Sequence, residues 1–326
     1  MNVFLTGVTG FLGSRLAETL QSKADLNLSV AVRQPVQVCG GRVFEVQGLD
    51  ISTNWSSALA GQKVLIHAAA RAHIMKDEVT DPLAEYRKVN VEGTISLARQ
   101  AAAAGVKRFI FISSIKVNGE QTQCGKPFTA EDIPAPEDAY GLSKWEAEQG
   151  LRQLAIETGM EVVIIRSPLV YGPGVKGNFA SLIKIVAKGL PIPLGSVHNQ
   201  RSLVALDNLV DLIIACVDHP AAADQVFLAG DGHDMSTTEL LRAVANAMDK
   251  SPRLISVPEL LILLIATIIG KKAIAQRLLG SLQVDISKAR NLLGWEPPIS
   301  VEEGLARCFS ESSLRSGFSP KTSLHR

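Results

Sequence analysis

The 326-residue chain has few cysteines, almost no net charge and no apolar run long enough to cross a bilayer. Its four cysteines, Cys39, Cys124, Cys216 and Cys308, stand far apart and form no CxxC pair. That pattern excludes a disulfide framework and a cysteine zinc site, and no metal is expected; four reduced thiols suit a cytoplasmic protein. Lys and Arg number 33 against 32 Asp and Glu. Nucleic-acid binders carry a basic excess, so that class is disfavoured. No basic segment precedes the apolar start MNVFLTGVTGFLG, which therefore does not read as a signal peptide. The stretch LLILLIATIIG, Leu260 to Gly270, is too short to span, since a crossing needs about 20 apolar residues. It reads as a buried helix of a globular domain, with a helix lying on a membrane surface as the alternative.

What is present is ordinary globular composition, with 46% hydrophobic and 20% charged residues. A chain of this length can bury roughly 75% of its unfolded surface without staples. Strand and helix patterns alternate through the first half. Val3–Leu5, Leu28–Val32, Val43–Val46, Lys63–Ala70, Val106–Ile112 and Val162–Ile165 read as strands. Long helices are expected from Pro82 to Ala104, closed by Gly105, and from Tyr140 to Thr158, closed by Gly159. Wholly apolar strands separated by helices mean a parallel sheet covered on both faces. The expected fold is α/β: a doubly wound parallel sheet of Rossmann type, with a smaller C-terminal α/β substrate domain. We place the first domain at residues 1–170, with 202–222 returning to it, the second at 171–310, and a polar tail at 311–326.

Gly7-Val-Thr-Gly10-Phe-Leu-Gly13 lies between the first strand and the first helix. Glycine there lets the backbone approach a pyrophosphate, and the helix N-terminus supplies N–H donors. An acidic residue about 20 positions after such a turn would bind the ribose of NAD. Arg33 stands there instead. A guanidinium can pair with a 2′-phosphate, so NADP(H) is expected over NAD(H), which the pocket could still accept.

Tyr140-Gly-Leu-Ser-Lys144 puts a phenol and an ammonium on one helix face. A free tyrosine, with a pKa of about 10, is a poor base until a neighbouring cation lowers that value. Ser114 stands 26 positions before Tyr140. Together with the GxxGxxG turn, these features resemble the short-chain dehydrogenase/reductase superfamily, in its extended branch. The resemblance implies that Tyr140 exchanges a proton with the substrate oxygen, that Ser114 holds that oxygen (with Ser113 as second choice), and that Lys144 tunes the tyrosine and binds the nicotinamide ribose. It implies cofactor contacts at Gly7, Thr9, Gly10, Phe11, Leu12, Gly13 and Arg33. Further contacts are implied at Asp50, Ile51, Ala68, Ala69, Ala70, Asn90 and Pro168.

The second half resembles nucleotide-sugar enzymes of that branch, along nearly the whole chain. Arg166-Ser-Pro-Leu-Val-Tyr171-Gly-Pro-Gly174, Gly177-Asn178-Phe179, Arg201-Ser-Leu-Val and Val284 to Trp295 carry the likeness. It implies a UDP-sugar held by Asn178 and Arg201, with Arg277 as a second clamp and Lys116 near the sugar. A UDP diphosphate carries two charges, so arginines and amide donors suit it. The likeness points to bacterial enzymes of surface-polysaccharide (O-antigen) synthesis. Some are described as UDP-glucose 4-epimerases; others reduce a UDP-4-keto-6-deoxy-N-acetylhexosamine to UDP-QuiNAc or UDP-FucNAc. Asn118 stands where the epimerase pattern has an aromatic. An epimerase is redox neutral and retains NAD, whereas a reductase must exchange its cofactor. Arg33 therefore favours the reductase, with the NAD-dependent 4-epimerase as alternative. The resemblance also implies a homodimer.

Overall fold

The structure is a computed structural model describing residues 1–34, 41–72 and 80–310. Cys39 and the tail at 311–326 lie outside the described residues. The chain runs β1 (Asn2–Thr6), α1 (Phe11–Gln21), β2 (Asn27–Val32), β3 (Arg42–Glu45), a short α2 (Ser56–Leu59) and β4 (Val64–His67). Then follow α3 (Pro82–Tyr86), α4 (Thr94–Ala103), β5 (Arg108–Ser114), α5 (Ala139–Thr158), β6 (Glu161–Ser167), β7 (Leu169–Tyr171) and α6 (Gly177–Ala187). The remainder is β8 (Leu203–Ala205), α7 (Leu206–Asp218), β9 (Val226–Leu228), α8 (Thr237–Ala247), α9 (Glu259–Ile268), α10 (Lys272–Leu279), α11 (Ser287–Leu293) and α12 (Val301–Cys308).

Seven strands form one sheet in the order β3-β2-β1-β4-β5-β6-β9, and every pairing within it is parallel. Successive side chains of a strand point to opposite faces. Val3 and Leu5 therefore join one core with Leu16 and Leu20 of α1 and Leu209 and Ile213 of α7. Phe4, between them, joins a second core with Leu97 of α4 and Leu151 of α5. Each face needs its own helical cover, which is why the strands read as unbroken apolar runs. The direction of strand succession reverses between β1 and β4, and a ligand crevice opens at their carboxyl ends.

Two elements depart from expectation. The helix expected across Pro82–Ala104 is divided: a π-helical turn, Arg87–Gly93, joins α3 to α4. This turn is pressed onto the loop after β3. A Cβ on Gly93 would fall 1.9 Å from the Leu49 carbonyl oxygen. The second departure is the apolar segment after Glu259. It forms α9, but only Ala266 among α9 residues is buried. The expectation of a buried helix is thus corrected. No hydrophobic layer among the described residues lies over its outer face. A smaller core of Tyr171, Phe179, Leu194, Met235, Leu241 and Leu305 holds α6, α8 and α12 together.

Candidate active site

The crevice at the ends of β1 and β4 is a cavity of about 620 Å³. Gly7, Thr9, Gly10, Arg33, Ala68, Ala69 and Ala70 line it, as does Leu49. The glycines are sterically required. Gly7 has φ +82°, and a Cβ there would sit 2.7 Å from the Ala69 nitrogen. A Cβ on Gly13 would fall 2.1 Å from the Gly7 carbonyl oxygen. The turn is thus a cradle open to backbone approach at the N-terminus of α1, where unpaired amides and the helix dipole favour a pyrophosphate. This geometry suits a dinucleotide. Arg33 directly follows β2 and is exposed in the cavity wall, with no carboxylate pairing it among the described residues.

Several residues expected to touch the cofactor are not among those lining this cavity. Leu49 lines the cavity, whereas Asp50 and Ile51 do not. The Asp50 carboxylate accepts the backbone N–H and hydroxyl of Ser52 at 2.9 and 2.6 Å, and these bonds hold its pKa down. Asn90, placed by the π-helical turn, is engaged with protein. Its amide donates to the Arg71 carbonyl and the Ser143 hydroxyl, and its oxygen accepts from the Arg71 N–H. It orients Arg71, which lines the cavity, while Val89 beside it lines the cavity directly. Phe11, Leu12 and Pro168 are also not among the lining residues.

The side chains expected to be catalytic, Ser114, Tyr140 and Lys144, sit where β5 meets α5. Asp138 caps α5 by accepting the Gly141 N–H at 2.6 Å. Lys144 reaches back across the helix, donates to the Ile112 carbonyl at 2.8 Å and lies 4.3 Å over the Phe111 ring. Burial brings its pKa down from 10.5 to about 7. The Tyr140 phenol packs edge-on against Tyr86 at 5.7 Å. Burial first, then the negative charge of Asp138, pushes its pKa upward, so the phenol is protonated at neutral pH. His67, buried beside Lys144, is driven to about 3 chiefly by burial. It is a neutral imidazole bridging Thr6 and Thr94.

The two serines at the end of β5 divide their tasks. Ser113 donates to Glu148 at 2.5 Å. Glu148 also takes the guanidinium of Arg166, which in turn donates to Asn118 at 2.9 Å. Ser113 thereby belongs to a buried structural network. Ser114 accepts the Lys116 N–H at 3.3 Å and keeps its hydroxyl proton. Asn118 is used up by Arg166 and the Thr129 carbonyl. Its departure from the epimerase pattern thus has a packing explanation. The Lys116 ammonium, expected near the sugar, pairs with Glu120 at 2.7 Å and with Asp138, the cap of α5. A Cβ on Gly141 would lie 2.7 Å from the Lys116 carbonyl oxygen, so this turn is pressed onto the start of α5.

Arg201, expected to bind substrate, donates to the carbonyls of Arg277 and Gly280 at 2.8 and 2.9 Å. Burial, then the charge of Arg277, lowers its pKa. Two cationic side chains thus lie within electrostatic reach of one another, and no carboxylate pairs either of them among the described residues. Such a pair suits a dianionic group. Asn178 is exposed in the first turn of α6. Among the described residues no cluster of His, Cys, Asp and Glu has the form of a metal site. Sequence reasoning missed Asp138, Tyr86 and Leu49. An Asp two positions before Tyr140 was a readable N-cap signal; the other two come together only in space.

Across residues 3–230 the chain matches the family described as NAD dependent epimerase/dehydratase. Over 96% of its length it is 52% identical to a Vibrio cholerae protein named UDP-glucose 4-epimerase, of which 97% is covered. It is 30% identical, over 94% of this chain and 93% of the relative, to the N-acetyl-alpha-D-glucosaminyl-diphospho-ditrans,octacis-undecaprenol 4-epimerase of Escherichia coli O157:H7. Its fold matches a crystal structure of UDP-glucose 4-epimerase with UDP-glucose from Thermotoga maritima, at TM-score 0.75 and 24% identity, over 97% of this chain and 99% of that one. The chain therefore belongs to the NAD dependent epimerase/dehydratase family, the extended short-chain dehydrogenase/reductase branch that its tyrosine–lysine helix resembles.

Proposed function

We propose that the protein is a UDP-hexose 4-epimerase acting on UDP-glucose or UDP-GlcNAc with a retained NAD. The coarser statement, an enzyme of the nucleotide-sugar epimerase/reductase type, rests on the family match and the relatives. The observation that carries the finer reading is the 52% identity, along nearly the whole chain, to the Vibrio cholerae protein named UDP-glucose 4-epimerase. Asn118 no longer counts against it, because its side chain is bound within the Arg166 network.

The cofactor, when bound, supplies a hydride acceptor and donor beside the sugar's C4. Tyr140 moves the proton of the C4 oxygen, with its pKa lowered from the raised resting value by positive charge brought near it. Ser114 donates its hydroxyl proton to the same oxygen. Arg201 and Arg277 hold the diphosphate away from the reacting carbon, which leaves the sugar free to turn while the substrate stays bound. The test is incubation of purified protein with UDP-Glc and with UDP-GlcNAc, without added cofactor. The expected result is conversion to the C4 epimer, with NAD released on denaturation.

A second reading is favoured by Arg33, which lines the cavity where a 2′-phosphate would lie. It is an NADP(H)-dependent reductase making UDP-QuiNAc or UDP-FucNAc. In that case NADPH absorbance would fall on adding UDP-4-keto-6-deoxy-GlcNAc, and no NAD would be released from the protein. Comparing KM for NADPH and NADH, in wild type and Arg33→Asp, tests the cofactor choice separately.

A further inference from the structure

We propose that α9, with the turn into α10, is an interfacial helix that docks the protein on an anionic lipid bilayer. The observation is a displaced hydrophobic face. Leu260, Leu261, Leu264, Ile265, Ile268 and Ile269 are all exposed, with Leu260 at 83%, Leu264 at 57% and Ile268 at 76%. At 100° per residue these six positions occupy one contiguous half of the helix. Ile262, Leu263 and Ala266 turn the other way, and Ile262 packs on the smaller core. The inward half already holds the helix on the protein, so the outward half is free to meet a lipid surface.

Length and charge choose the occupant. Ten residues make a helix of about 15 Å, half the thickness of a bilayer core. No helix among the described residues is long and apolar enough to cross a membrane. The segment must therefore lie along a surface. From Leu260 to Gly280 the sequence has three charges, Lys271, Lys272 and Arg277, all positive, and no acid. Lys271 and Lys272 are exposed directly after the apolar face. Apolar side chains beside unpaired cations are the makeup of a helix that sinks into anionic headgroups. A second copy of the same face would bring these like charges together, which argues against self-association there. Arg277 belongs to α10, packed on α9, and its backbone carbonyl accepts from Arg201. A docked protein would therefore hold its anion-binding arginines close to the headgroup plane.

The test is sedimentation of the full chain with vesicles of phosphatidylcholine alone and of phosphatidylcholine with phosphatidylglycerol. The expected result is binding to the anionic vesicles, weakened by salt and reduced at least tenfold by Leu264→Glu with Ile268→Glu. Lys271→Glu with Lys272→Glu should lower it for anionic vesicles. The substituted side chains are exposed, and unchanged melting temperature and epimerase turnover on a soluble UDP-sugar show that the fold is kept. The proposal stands on the surface alone and survives failure of the epimerase reading. Absence of vesicle binding at low salt would overturn it. So would binding that the α9 variants leave unchanged, or a wild-type dimer that these variants dissociate with no lipid affinity in either form.

Discussion

Lys144, which the proposed mechanism places beside Tyr140, is a cation whose burial works against folding, and the size of that conflict can be measured. Only 2% of the residue is exposed, and burial lowers its pKa from 10.5 to about 7. Between pH 7 and 9 the folded lysine loses its proton, while the unfolded lysine, near its ordinary pKa of about 10.4, keeps it. The unfolded state then binds more protons, so stability rises with pH in this window. Each pH unit is worth about 1.4 kcal/mol, giving roughly 2–3 kcal/mol across the two units. Below pH 7 both states carry the proton and the effect levels off.

Lys144→Met removes this titration while keeping an unbranched side chain of similar length. It also removes the bond to the Ile112 carbonyl and the contact with Phe111, together about 1–2 kcal/mol. Thermal melts of both proteins without cofactor, at half-unit steps from pH 5.5 to 9, provide the assay. Other titrating groups cancel in the difference between the two curves. The wild type should gain on the variant by about 5 °C between pH 7 and 9, at roughly 2 °C per kcal/mol for a chain of this size. Below pH 6.5 the gap should be flat. A gap that does not change with pH would refute the argument, because it would mean that Lys144 keeps its charge in the folded protein.

Tyr140→Phe should lower kcat by about 10²–10⁴-fold with KM little changed, since it removes proton transfer and leaves the diphosphate contacts intact; steady-state epimerisation kinetics check this. Gly13→Ala should weaken NAD binding about a hundredfold, roughly 3 kcal/mol, because its Cβ would fall 2.1 Å from the Gly7 carbonyl oxygen and force the cradle open; calorimetric titration with NAD reads this directly. Glu148→Gln should destabilise the protein by about 3–5 kcal/mol in urea unfolding, because it leaves Arg166, with 1% side-chain exposure, without a counter-charge. Glu148→Met combined with Arg166→Met should recover much of that loss.

The doubly wound sheet was legible because its signal is local. Val3 to Leu5 and Val162 to Ile165 are apolar without a break, and such strands belong in a parallel sheet covered on both faces. The glycine turn was legible for the same reason: three glycines between a strand and a helix imply a close backbone approach, and the structure measures how close. What the sequence left open depends on pairing across space. Ser113 and Ser114 are adjacent and chemically identical, and only the position of Glu148, 35 residues beyond Ser113, separates a structural hydroxyl from one with a proton to donate. The ion pairs of Lys116 were hidden too, because its partners, Glu120 and Asp138, converge on it only when the turn after β5 folds onto α5. The apolar run after Glu259 is the opposite case. Its hydrophobicity is plain in sequence, but composition cannot say whether protein or something else covers it. In this fold, protein covers the Ala266 side, and the six large side chains opposite remain exposed beside two lysines. Hydrophobicity alone would have placed that helix in the core; its position in the fold gives the physical reason to look for a lipid surface.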